Sequence, residues 1–157
     1  MLKTIKLHKQ CPGAIKYIGK KYASGKAAWD EWGEKGLFES VKKQIGINLT
    51  DFYEDGDAVV GLMCKRINDE GKKKFEYWLG YFTPANTPVP EGLEYEDFPP
   101  MDMVTCQFYE KDGEGYDLAC EALSNIEKAG YIVTTEWWFE RYSPKRENII
   151  DLGYFVE

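Results

Sequence analysis

The stretch Trp137-Trp138-Phe139-Glu140-Arg141-Tyr142 sets a single carboxylate among large aromatic side chains. Aromatic rings supply contact area and cation–π attraction, and a carboxylate beside them supplies the opposite charge, so the group suits a lipophilic cation. Partial desolvation would also raise a glutamate's pKa and fit it to act as a general base. Alternate residues of a strand share a face. Glu136, Trp138, Glu140 and Tyr142 then lie on one side, with Thr135, Trp137, Phe139 and Arg141 on the other. Trp137 and Phe139 are the natural partners of a helix. The alternation leaves Glu140 two roles, a pocket carboxylate or an exposed partner of Arg141, Lys145 or Arg146.

A second aromatic run spans Phe75 to Phe82. Phe75, Tyr77, Leu79 and Tyr81 share one face and Glu76, Trp78, Gly80 and Phe82 the other, and both sets are apolar enough to be core. Gly80 marks a bulge or a close backbone approach. Trp29 and Trp32 fall at helical spacing and read as helix core. His8 is the one histidine, and Cys11, Cys64, Cys106 and Cys120 form no C-x-x-C pair, so neither a metal site nor a His-based catalytic pair is expected. No glycine-rich turn has P-loop or dinucleotide spacing, and no cofactor is expected.

The 157 residues suit one domain with a sizeable core. A net charge of −7 argues against direct nucleic-acid binding, because phosphate contacts need a basic surface. The same charge favours cationic ligands at long range. Lys20-Lys21, Lys42-Lys43 and Lys72-Lys73-Lys74, in a chain with more acids than bases, read as solvated surface. The N-terminal segment has no apolar signal-peptide core and no run approaches a membrane span, so a cytoplasmic protein with reduced cysteines and no membrane partner is expected.

The elements that would position these side chains follow from periodicity. Leu2 to His8 alternates as a short edge strand, and Ala14 to Tyr22 forms a second strand after Pro12-Gly13. Ser24-Gly25 caps one helix carrying Trp29, Trp32, Leu37, Phe38, Val41 and Ile45, interrupted by Gly33 and Gly36 and stopped at Gly46. Ala58 to Ile67 and Phe75 to Phe82 make a hairpin around Asp69-Glu70-Gly71. Thr83 to Pro100 holds five of the seven prolines and reads as an extended crossover anchored by Leu93, Tyr95 and Phe98. Met101 to Tyr109 is a strand, and a turn at 111–115 leads to a helix with Ala119, Ala122, Leu123, Ile126 and Ala129 on its apolar face, ended by Gly130. Thr134 to Tyr142 and Asn148 to Val156 close the chain as a hairpin. Each half runs strand, helix, strand, strand, about 12–83 and 101–157, which suggests an internal duplication. The expected class is α+β, an antiparallel sheet with helices on one face and the other face free to form a concave site.

Two segments carry a family resemblance. Phe75-Glu76-Tyr77-Trp78-Leu79-Gly80 followed by Val89-Pro90-Glu91-Gly92-Leu93-Glu94 resembles the middle signature of the GyrI-like effector-binding family. Phe139-Glu140-Arg141-Tyr142 followed by Ile149-Ile150-Asp151-Leu152 resembles its closing E-x-Y strand and final hairpin. The family includes drug-sensing domains of AraC-type and other multidrug-responsive regulators, gyrase-inhibitory proteins and integron-associated cation-binding proteins. The resemblance implies a duplicated βαββ (SHS2-like) fold over the whole chain, with a central cleft and Glu140 at its floor. It implies a stand-alone module for small aromatic or cationic drug-like molecules, a binding protein rather than an enzyme. Glu140, Tyr142, Trp138, Tyr77 and Trp78 are the implied ligand residues, with Tyr77 and Trp78 competing for the cleft. One branch of the family resembles hydrolases of cyclopropane-containing DNA-alkylating compounds, and there Glu140 would orient or deprotonate water. A regulatory role on a protein partner such as gyrase is the third expectation. No helix-turn-helix precedes the domain, so activation of transcription by this chain alone is not expected.

Overall fold

A computed structural model describes residues 4–67 and 70–157. Eight strands form one antiparallel sheet in the order β1-β6-β8-β7-β3-β4-β2-β5. They are β1 (Lys6–Gln10), β2 (Ile15–Tyr22), β3 (Val59–Ile67), β4 (Lys73–Pro84), β5 (Glu94–Phe98), β6 (Asp102–Tyr109), β7 (Val133–Tyr142) and β8 (Ile149–Val156). Three helices, α1 (Gly25–Lys35), α2 (Leu37–Ile45) and α3 (Gly115–Lys128), cover one face. The segment before β3 is β2-α1-α2, and α3 joins β6 to β7. In the sheet β2-β4-β3 and β6-β8-β7 lie in matching order, and β3 pairs with β7 at the centre.

Local chemistry explains the helix bounds. The Ala27 amide donates to Ser24 Oγ at 3.2 Å, capping α1 as expected from the sequence. The expected single helix from Trp29 to Ile45 is two helices. Gly36 adopts the left-handed conformation (φ 62°), ends α1 and starts α2, a backbone state that strongly favours glycine. The break lets Trp32, Val41 and Ile45 pack on Ile18, Leu79 and Tyr81. In α3, Leu118, Ala119, Ala122 and Ile126 are buried against β6 and β8, while Ala129 is exposed.

The other face departs from expectation. It is no concave site but a packed aromatic core of Tyr17, Leu62, Trp78, Phe82, Phe98, Trp137, Phe139 and Phe155. Phe98 of β5 stacks on Phe155 of β8 with ring centroids 4.7 Å apart, although four strands lie between them in the sheet. The sheet therefore curls around this face, driven by apolar area that no helix covers. Trp137 and Phe139 belong to this core and are not helix partners. The expected crossover at Thr83–Pro100 contains a strand, β5, paired with β2, and within it Tyr95 is exposed beneath Lys16 rather than anchored. Gly80 is the close approach its position suggested, since a Cβ there would lie 2.1 Å from the Ile18 carbonyl oxygen. β1 does pair at an edge, on β6. Leu2 and Lys3 of the expected first strand, and Asp69 of the expected hairpin turn, lie outside the described residues.

Candidate functional site

Where β3 and β7 meet at the sheet centre, Glu140 pairs in register with Gly61 and Leu152. Its side chain therefore points to the helix face, between α1 and α3, and it is 8% exposed. Tyr77 on β4 donates its hydroxyl to Glu140 Oε1 at 2.5 Å, and Trp29 Nε1 of α1 donates to the Tyr77 hydroxyl at 2.8 Å. Tyr142, two residues along β7, meets Trp29 edge-on with ring centroids 5.2 Å apart. Burial raises the Glu140 pKa, and hydrogen bonds from Tyr77, Trp29 and Tyr142 oppose that rise without cancelling it. The Tyr77 and Tyr142 hydroxyls are themselves pushed far up by burial first and then by the Glu140 charge, so both stay protonated donors.

Above this cluster lies a recess of about 510 Å³, lined by Trp29, Val59, Glu110, Gly113, Gly115, Leu118, Tyr142 and Ile150. That volume falls within the range of small-molecule pockets. Glu140 lies behind the wall of the recess at Gly115, the first residue of α3, where a Cβ would sit 3.3 Å from Glu140 Oε2. The arrangement is a nearly dry carboxylate under an aromatic and aliphatic rim. No described basic residue forms an ion pair with it. Arg141 and Arg146, two of the surface partners that the sequence left open, instead bind Asp55 and Asp151. Lys145, the third, donates to the Glu54 carbonyl at 2.9 Å.

The sequence-derived candidates separate by face. Glu140, Tyr142 and Tyr77 come together. Trp138 shares their face but sits farther along β7, half-buried, its ring 6.2 Å from that of Phe75. Trp78 lies on the opposite face, edge-on to Tyr17 and Trp137, and does not reach Glu140. Strand alternation makes Tyr77 and Trp78 exclusive, and the covering helices decide for Tyr77.

Trp29 was read as helix core, yet it lines the recess and bonds Tyr77. Helical spacing shows only that a residue faces inward, not whether a core or a cavity lies there. Nothing in the sequence pattern marks Gly61. A Cβ there would lie 2.3 Å from the Tyr77 hydroxyl and 2.9 Å from Glu140 Cγ, so only glycine leaves room for this hydrogen bond. Gly61→Ala is expected to force the pair apart and to cost about 1–3 kcal/mol of stability, which urea denaturation measures. An unchanged midpoint would show that the ring has room to retreat.

No known family model matches the sequence, and no curated protein is detectably similar to it. Solved structures are similar in fold. SAV2435 bound to tetraphenylphosphonium matches with a TM-score of 0.63 at 12% identity, over 98% of this chain and 94% of that one. The EcmrR C-terminal domain matches at 0.57 and 15% identity, over 100% and 98%. An uncharacterized conserved protein from Listeria innocua matches at 0.53 and 12%, over 98% and 93%. The chain thus has the α+β fold of these structures, an antiparallel sheet with three helices, which is the fold class that the GyrI-like resemblance implies.

Proposed function

We propose that the chain is an effector-binding domain for lipophilic cations, with Glu140 at the floor of a central cleft between two copies of one βαββ unit. The observation that carries this is a carboxylate 8% exposed, raised in pKa by burial, with aromatic neighbours and no described cationic partner. Isolated buried carboxylates are costly, and a bound cation would offset that cost. Trp29 and Tyr142 supply ring faces and edges for it, while Tyr77 fixes the carboxylate through Oε1 and leaves Oε2 toward the recess. The matching strand order of β2-β4-β3 and β6-β8-β7 supports the duplication, and the recess at their junction supports the cleft. SAV2435, similar in fold, was solved with tetraphenylphosphonium, a lipophilic cation.

Titration with tetraphenylphosphonium, followed by tryptophan quenching and thermal shift, tests the reading. Saturable binding that quenches fluorescence through Trp29 is the expected result, and a flat titration at millimolar cation would refute it. The raised Glu140 pKa also favours a second reading, a general base acting on water. Incubation with cyclopropane-bearing alkylating compounds separates the two. Product beyond one equivalent would make the chain a hydrolase, whereas bound ligand recovered intact would leave it a binding domain.

A further inference from the structure

The same recess carries a second acid that the binding reading does not use. Glu110 directly follows β6, is exposed and lines the recess. Its backbone is held in place, the amide donating to the Asn148 carbonyl at 2.9 Å. Its carboxylate makes no ion pair with any described residue. The basic residues of the adjoining segments have other partners. Lys111 lies over the Tyr109 ring at 5.6 Å, Lys145 donates to Glu54, and Arg146 is held by Asp55 and Asp151. Among the described residues no basic side chain lines the recess, and two of its lining residues, Gly113 and Gly115, bring no side chain to it. Tyr142 lines the recess beside Glu110, and its hydroxyl pKa is pushed up by burial and then by the charges of Glu140 and Glu110.

We infer that Glu110 is a second cation anchor, which makes the site selective for ligands carrying two positive charges. The buried acid at the floor takes the cation embedded in an aromatic body, and the rim acid takes a solvated ammonium on an arm. This rests on the cation-binding reading above. It adds that the recess measures the number and separation of charges, which an aromatic cage with one carboxylate does not.

Ethidium and propidium test it, because they share a phenanthridinium ring and only propidium bears an added quaternary ammonium arm. At low ionic strength, where a rim charge is least screened, the protein is expected to bind propidium about tenfold more tightly than ethidium. Glu110→Gln is expected to bring that ratio close to one while changing ethidium affinity less than twofold. Glu91→Gln, an equal change of net charge in a distant turn, is expected to leave the ratio intact. The inference fails if propidium has no advantage, if Glu110→Gln weakens both dyes equally, or if Glu91→Gln acts like Glu110→Gln. If neither dye binds, it fails together with the cation-binding reading. If ethidium binds and propidium gains nothing, only the second anchor is lost.

Discussion

Arg141→Leu is expected to lower folding stability by about 3–5 kcal/mol, the largest loss of any single replacement considered. Arg141 is 0% exposed and sits beside Glu140 on β7 but faces the aromatic core side. Its Nε donates to Asp151 Oδ2 at 2.9 Å, and its Nη2 lies 3.3 Å from Asp55 Oδ2. Arg146 bridges the same two acids at 2.8 and 2.7 Å. With Arg141 removed, two buried carboxylates would share one guanidinium, 21% exposed, and uncompensated buried charge is what makes such losses large.

The pH dependence of that loss follows from Asp55. Burial pushes its pKa up, but Arg141 and Arg146 outweigh burial and hold it below the ordinary carboxylate range. A depressed folded pKa contributes stability that is present above the unfolded value and disappears as pH falls through the folded one. Wild-type protein should therefore keep this contribution from neutral pH down into the carboxylate range. Arg141→Leu should lose much of it at every pH above that range. Urea midpoints at several pH values measure this, and an unchanged neutral midpoint would show that the cluster carries no net stability. Replacing Arg141, Arg146, Asp55 and Asp151 together by apolar residues should recover much of the loss, because no lone charge would remain.

This cluster also shows where sequence reasoning stops. Asp55 and Arg141 are separated by more than half of the chain, and no local pattern joins them. The face shared by Trp138, Glu140 and Tyr142 was legible, because strand alternation is a covalent fact of the backbone. The side bearing the helices was not. β4 is apolar on both faces, and on β7 the carboxylates Glu136 and Glu140 made the Trp137 and Phe139 side look the one suited to a helix, yet the helices cover Tyr77 and Leu79. The curl of the sheet settles this by burying the larger aromatic set on itself. Trp29 and Trp32 follow the same helical pattern, and only the break at Gly36 and the position of β7 send one to the recess and the other to the core. Gly61 was silent because its function is the absence of a side chain, visible only once Tyr77 and Glu140 converge on it.

Glu140→Gln is expected to weaken tetraphenylphosphonium binding by about 1–3 kcal/mol, roughly fivefold to more than a hundredfold in Kd. The replacement keeps shape and an oxygen to accept from Tyr77, so the lost term is the charge. The same change should make the empty protein more stable at neutral pH. Burial raises the Glu140 pKa in the folded state. For a raised pKa, the contribution to stability is full below the unfolded value and is lost as pH rises through the folded one. At neutral pH the ionised Glu140 therefore works against folding, and a neutral amide does not. Binding runs the opposite way, because the cation needs the carboxylate. Wild-type affinity should fall as pH drops through the raised pKa, by up to tenfold per unit, and Glu140→Gln should bind weakly at every pH. A loss of affinity joined to a gain in melting temperature distinguishes a charge held in place for a ligand from one held for the fold. A residue serving the fold, like Arg141, loses stability when replaced. If Glu140→Gln binds as tightly as wild type, or its empty form melts lower, the carboxylate is structural and the cation site must lie elsewhere.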